Sequence, residues 1–472
     1  MNKKILSLSL VLAAVISLFA CGSETDDLTK ITDAADASDP AETGYYDSIP
    51  EDVNYNNYEF TVLSYDTRDW NLYITGDETT GDVMDVAAHR RNTEVEDMLG
   101  ITIDTILVPV AELQNAFRNG VASNDADFDL ACFWAVGRLD YCITENLAAD
   151  WKNISEINLD KPWYNQSANE AWCINGNQYF AVSDFTYSAQ QHSRILFNKN
   201  LFDKNQIDYP YDAVFDGTWT WDMMLEICKD KYVDVNNDGR QNVFDEFGLV
   251  TSKNFMLTYP HQAGERNIIV TDDGYEINMF SERIVSIVES VQALYDNPNT
   301  WMCTVDGNLQ YDAFVEGRSL FETYSSDPVL LRNIDRFDFG YLPYPKYEES
   351  QEDYYSFTYG GMMAIPNVDT DYTRTGHVVE ALSAASAKYI EEAFIEKSIE
   401  GKVLRDDESV EIYRMMRDNS LYEFSFYIDP SNLCGSYYGT LFAPNRPEIS
   451  SLYASREQAI RTGYDQLFAS FE

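Results

Sequence analysis

Apolar and polar residues alternate from Tyr58 to Tyr65 (YEFTVLSY), the pattern of a half-buried strand. From Asp85 to Leu99, Val86, Val95 and Met98-Leu99 recur at helical spacing, and Gly100 stands where a left-handed cap would end the helix. Ile101 to Val108 (ITIDTILV) reads as a second strand. Strand, helix and strand make a βαβ unit with parallel pairing and a right-handed crossover. A second helix over Ala111 to Val121 leads to a short apolar strand over Phe128 to Trp134. Further on, Tyr179 to Phe202 reads as a buried strand, a polar interruption from Ser188 to Ser193, and a second strand running into a helix. A chain that leaves one apolar run, passes polar residues and enters another crosses between lobes. Helices are expected from Trp221 to Asp230, with Thr220 as N-cap, and over Ser281 to Tyr295, Tyr311 to Phe314, Gly376 to Ala387 and Tyr389 to Ile399. Ser356 to Ile365 (SFTYGGMMAI) returns to the first lobe, with Gly360-Gly361 where a hinge bends or a backbone approaches a ligand. The class is α/β, with mixed sheets flanked by helices, and ligands of such open sheets sit beyond the carboxyl ends of the strands.

The chain starts with Lys3 and Lys4, an apolar run from Ile5 to Ala20, and then Cys21-Gly22. The run is too short for a bilayer span and has the flanks of a secretory signal. Ending in Cys21, it resembles a bacterial lipoprotein signal, which implies lipidation of Cys21 and an extracytoplasmic protein held to the cell membrane only by its lipid anchor. From Ser23 to Asp52 the chain is acidic and poor in apolar residues, a flexible tether. More than four hundred residues remain, too many for one core. The expected division is signal 1–20, anchor and tether 21–55, first lobe 56–182 with 357–400, and second lobe 183–345 with 405–472.

Aromatics reach 14%, with 33 Tyr and 8 Trp, more than a core requires, so some are expected to line a binding surface. The formal net charge of −46 argues against nucleic acid and anionic lipid as partners and favours a neutral or cationic solute. Acidity that serves only solubility excludes the same partners. Without Cys21, six cysteines remain in apolar surroundings and are expected as free buried thiols. Four scattered histidines give little support to a histidine zinc site or a Ser-His-Asp triad.

One loop carries metal-ligand spacing. With Asp234 as position one, oxygen donors follow at Asn236, Asp238, Asn242 and Asp245, with Gly239 at six and the Arg240 carbonyl at seven. That is the spacing of an EF-hand or dockerin Ca2+ loop, except that Asp245 replaces the bidentate Glu. An Asp/Asn/Gly turn without metal fits the same residues.

Asn175-Gly176, Tyr179 and Leu196 to Phe202 (LFNKNLF) resemble the lobe-crossing segment of the extracellular solute-binding proteins of ABC importers, in their sugar-binding, maltose-binding-protein-like group. Phe133-Trp134-Ala135, Arg138 and Leu147-Ala148 resemble that group's cleft stretch. The resemblance continues through Pro162-Trp163-Tyr164 and Trp219-Thr220-Trp221-Asp222, both read as packing, and through Gly317 to Glu322, Phe339 to Lys346 and Arg405 to Ser409. It covers nearly everything after residue 55. It implies a two-lobed periplasmic-binding-protein-like fold of type II with hinge strands between lobes, no enzymatic activity, a carbohydrate ligand, ABC permease subunits as partners, and a monomer. Trp134 is the implied stacking residue, since an indole covers the C–H face of a sugar; a core tryptophan at a strand end fits the same pattern. Gly137 stands where the group has an acidic residue, which argues against maltose itself. Arg138, Tyr65, Asp66, Asp184, Tyr187, Glu322, Tyr324 and Tyr359 are the other implied ligand contacts. Competing readings are a glycoside hydrolase with two cleft carboxylates and a Ca2+-dependent adhesin.

Overall fold

The computed structural model describes residues 44–471, apart from 67–72, 125, 134–137, 187–191, 272–273, 305–308, 325–330, 332–333, 359, 369–370 and 401–402. Residues Tyr45–Glu472 form one compact unit built on two main sheets. In the first sheet β1 (Tyr58–Tyr65) pairs in parallel with β2 (Ile101–Val108) and with β3 (Leu130–Phe133). Helix α1 (Val83–Leu99) makes the crossover from β1 to β2, capped by Asp82 at its start and by Gly100, at φ +63°, at its end. Helix α2 (Leu113–Ala122) then leads to β3.

The second sheet holds β4 (Arg194–Asn198), β5 (Phe247–Ser252), β8 (Thr300–Cys303), β9 (Ser319–Tyr324) and β10 (Phe339–Leu342) in the order β10-β4-β9-β5-β8. The hairpin of β6 (Ile268–Thr271) and β7 (Gly274–Ile277) stands apart from it. Strands β5, β8 and β9 run parallel and β4 runs against β9 and β10, so the sheet is mixed. Helix α3 (Trp221–Cys228) begins at Thr220, whose hydroxyl accepts the N–H of Met223. Trp219 is fully buried, donates its indole N–H to the Pro343 carbonyl at 3.1 Å and packs on Phe321 of β9, so it staples this helix to the sheet.

Among the described residues, three segments that run between the sheets lie side by side. His192 bridges Thr358, and Ser193 donates its N–H to Phe357. Strand β11 (Ser356–Phe357) pairs with β13 (Ser420–Leu421), and β12 (Met362–Ala364) continues antiparallel to β3 at the edge of the first sheet.

Two expectations change. Gly376 to Ala387 and Tyr389 to Ile399 are one helix, α4 (Tyr372–Glu400), because Lys388, expected to separate them, is held in place: it and Tyr389 both bond Glu94 of α1. Tyr179 to Val182 is no regular strand; it makes a single bridge, Ala181 to Met363. No disulfide joins any of the six cysteines among the described residues, and five of them are buried. No helix among the described residues is long and apolar enough to cross a membrane.

Candidate functional site

The carboxyl ends of β1 and β3 and the three crossings converge on one region. Tyr65 ends β1 and is buried, and Asp66 follows it, exposed, its N–H donated to Val108. Beyond β3 the first described residue is Arg138, exposed and held at φ +75°. The neighbouring Leu139 N–H is donated to the carbonyl of Tyr427, so the C-terminal part of the chain closes over this end of the first sheet. Gly361, at φ +84°, donates its N–H to Phe133, so the second crossing passes close to the end of β3. Trp134, Tyr187 and Tyr359 lie outside the described residues, as does the side chain of Tyr324 at the end of β9.

At the first crossing, Asp184 and His192 flank segment 187–191. Both line a polar cavity of about 250 Å³ together with Trp163, Asn165, Arg417 and Ser420. Arg417 donates from Nη2 to Asp184 at 3.1 Å and lies 2.5 Å from Glu391 through Nη1. Burial pushes the Asp184 carboxyl up to about 6, with Arg417 pulling it down and Glu391 pushing it further up. His192 bonds Thr358 Oγ1 through Nδ1 at 3.2 Å. Burial, with Arg194 and Arg417 nearby, holds it down to about 3, so this imidazole stays neutral.

Glu322 sits one register step from the end of β9, opposite Leu196, with Arg194 two residues along the same face. It is fully buried, and among the described residues neither carboxyl oxygen has a hydrogen-bond partner. Burial holds its pKa well above the ordinary carboxylate value, with Arg194 opposing. Tyr65, Asp66 and Arg138 thus stand at strand ends of the first sheet, Asp184 just before the first crossing and Glu322 within the second sheet, and Tyr65 and Glu322 are buried. Sequence reasoning missed Arg417, Glu391 and His192, because the contacts that bring them together join different elements, Arg417 to Asp184 across 233 positions and His192 to Thr358 across 166, and leave no local pattern.

The Asp234 loop has the turns that its sequence suggests. Asp234 accepts the N–H groups of Asp238 and Gly239, Asn236 that of Asp238, and Asp238 that of Arg240. Asp245 is fully buried and accepts from Val235, Asn242 and Tyr232. Hard oxygen donors such as those of Asp234, Asn236, Asp238 and Asp245 are the donor type that Ca2+ takes, and here they accept hydrogen bonds within the loop. Among the described residues no cluster of three or more His, Cys, Asp or Glu is spaced as a metal site.

No protein-family model and no curated protein sequence matches the chain. Solved structures do. An extracellular solute-binding protein from Staphylococcus aureus in complex with maltose is 12% identical with TM-score 0.57, over 86% of this chain and 98% of that one. An ABC substrate-binding protein from Listeria monocytogenes in complex with cycloalternan is 14% identical with TM-score 0.54, over 86% and 99%. A protein from Mycobacterium tuberculosis in complex with glycerophosphocholine is 12% identical with TM-score 0.57, over 87% and 98%. The chain has the two-lobed fold of these solute-binding proteins, the type II periplasmic-binding-protein fold.

Proposed function

We propose that this chain, having that fold, is an extracytoplasmic receptor that captures a carbohydrate, an oligosaccharide in particular, between its two lobes and delivers it to an ABC permease. The observation that carries the reading is the set of three crossings packed side by side between the two sheets. A ligand that touches both lobes favours the closed form by its extra contacts there, and no bond is made or broken. Support for sugar comes from neighbours whose structures hold cycloalternan, maltotetraose and maltotriose, and from the abundance of Tyr and Trp. The glycerophosphocholine complex shows that the fold also takes another polar solute, so the ligand class needs direct measurement.

In this reading Cys21 carries the lipid that tethers a monomeric receptor outside the membrane. Cys21→Ala, expressed in a bacterium, should move the protein from the membrane fraction to the soluble one. The Asp234 loop holds Ca2+ as a structural ion, with Asp234, Asn236, Asp238, Asn242 and Asp245 as side-chain donors and Arg240 as the carbonyl.

The test of the main reading is a thermal-shift screen of the chain from residue 55 onward against mono- and oligosaccharides, with peptides and glycerophosphodiesters as controls. A dose-dependent rise with one sugar class, without turnover, is the expected result. Release of new reducing ends would replace receptor by hydrolase. A rise with controls alone would discard the sugar.

A further inference from the structure

Helix α5 (Asp407–Asp418) is anchored at its two ends to different sheets. At its start, Asp406 caps the helix by accepting the Ser409 N–H at 2.7 Å, pairs with Lys199 just after β4 and accepts the Tyr211 hydroxyl. Ser409 Oγ accepts the Tyr341 N–H of β10 at 3.2 Å, and Arg405 lies 4.1 Å over the Phe339 ring. These contacts fix the start to the second sheet. Eleven residues beyond Asp406, a rise of roughly 16 Å, Arg417 meets Asp184 and Glu391.

Both carboxylates belong to the first half of the fold. Glu391 stands on α4, which is tied to α1 through Lys388 and Glu94, to Asp82 through Lys397, and to Tyr164 through Glu380. The Asp184 N–H is donated to Trp163, and the adjacent Ser183 hydroxyl bonds Ser383 of α4 at 2.7 Å. Arg417 lies three residues before Ser420, where the third crossing begins, and Asp184 lies just before the first crossing.

We infer that Arg417 is a positioning residue for ligand capture: its guanidinium, carried by a strut from the second sheet and clasped by Asp184 and Glu391 of the first half, limits the rotation of one half on the other. The inference rests on the lobe-closure reading above, but not on the identity of the ligand. The planar fork of arginine reaches two carboxylates at once, which an ammonium does less well. Rotation about the crossings carries the end of α5 past Asp184 and Glu391, so it must stretch or exchange these contacts inside a largely buried site. There an unpaired charge is costly, and the arrangement with all three groups paired is favoured. Other ionisable groups around the clasp are Tyr413, Arg414 and Asp418 on the same helix and His192 and Arg194 from the first crossing. The neutral His192 supplies no competing charge.

The test needs no ligand. Nitroxide labels go on the exposed positions Thr102 at the edge of the first sheet and Asp216 beside the second, in a background where the half-exposed Cys173 is Ser. The distance distribution between them is measured by electron spin resonance in the wild type and in Arg417→Met, Arg417→Lys, Asp184→Asn and Glu391→Gln. Arg417→Met and Asp184→Asn should broaden or shift the distribution, with Arg417→Lys recovering part of the wild-type profile. A merely structural contact would lower the melting temperature and leave the distribution of the folded protein unchanged. Wild-type distributions in folded Asp184→Asn, Glu391→Gln and Arg417→Lys overturn the inference, even if Arg417→Met does not fold. Absence of sugar binding in the screen, by contrast, leaves these distances as they are.

Discussion

Glu322 is a carboxylic acid buried away from solvent, with no hydrogen-bond partner among the described residues and the Arg194 guanidinium as a nearby counter-charge. A carboxyl whose pKa is raised on folding costs stability as pH climbs above its unfolded value, by about 1.4 kcal/mol per pH unit until the folded pKa is reached. Glu322→Gln keeps the shape and removes the titration. The variant should match the parent near pH 4 and melt at higher temperature than the parent at pH 8, by an amount of roughly 1–3 kcal/mol. A constant difference across that range would mean that Glu322 is ionised and paired. The residue type and its place near a strand end were legible in the sequence. Its burial was not, because that depends on helix Leu309–Val315 packing on β9, a contact no local pattern encodes. Trp134, at the end of the same reasoning, has a different test: Trp134→Ala should weaken sugar binding by about 1–3 kcal/mol with an unchanged melting temperature, the loss expected for a stacked ring.

Secondary-structure elements were read best where a chemical signal marks their ends. Gly100 closes α1 in the left-handed region, and Thr220 opens α3 by accepting the Met223 N–H. Thr220→Ala should cost about 1 kcal/mol in urea unfolding with an unchanged slope. Where the signal is a charge, the reading was less secure. Two helices were expected, Gly376 to Ala387 and Tyr389 to Ile399, yet one helix runs through Lys388, whose ammonium reaches Glu94 on α1. The Asp234 loop lies between these cases. Its turns follow from Asx chemistry alone, since the side-chain oxygens accept backbone N–H groups with or without an ion. An ion that binds only the folded state raises stability by RT ln(1 + [L]/Kd), about 2.7 kcal/mol at a hundredfold excess over Kd. The melting temperature should therefore rise from EDTA to millimolar Ca2+, and Asp234→Ala should abolish that rise while the EDTA value moves little. Equal melting temperatures in the two media would leave the loop as a metal-free turn.

Acidity acts on the whole molecule through two effects of the same sign. The net charge of −46 gives the compact state a self-repulsion that falls as carboxylates protonate. Superimposed on it are carboxyls that burial pushes upward: Asp184 to about 6 beside Arg417, and Asp429 to about 6 although it accepts the N–H groups of Leu433, Cys434 and Gly435. For each, the folded pKa lies above the unfolded value, so the folded state binds the proton more tightly. Stability is therefore gained as pH falls through about 6 toward 4, and lost as pH rises through that window. Other carboxylates act oppositely. Asp82 and Glu94 are pushed up by burial but pulled further down by their partners, Lys397 and the α1 N–H groups for Asp82, and Tyr389, Tyr46 and Lys388 for Glu94. Their contribution is complete above about pH 4 and disappears below it. The two sets together place the stability maximum at about pH 4, well below neutrality, with a decline on both sides. Thermal unfolding from pH 3.5 to 8.5 at fixed ionic strength checks this. Added salt should raise the melting temperature at pH 8 more than at pH 5, because self-repulsion is screened while buried groups are not. A maximum at or above pH 7 would mean that the buried carboxyls are ionised in the folded state. Asp184→Asn separates the clasp from this background: it should flatten the decline between about pH 4 and 6 by the share that Asp184 contributes, while the acid limb set by Asp82 and Glu94 stays where it is.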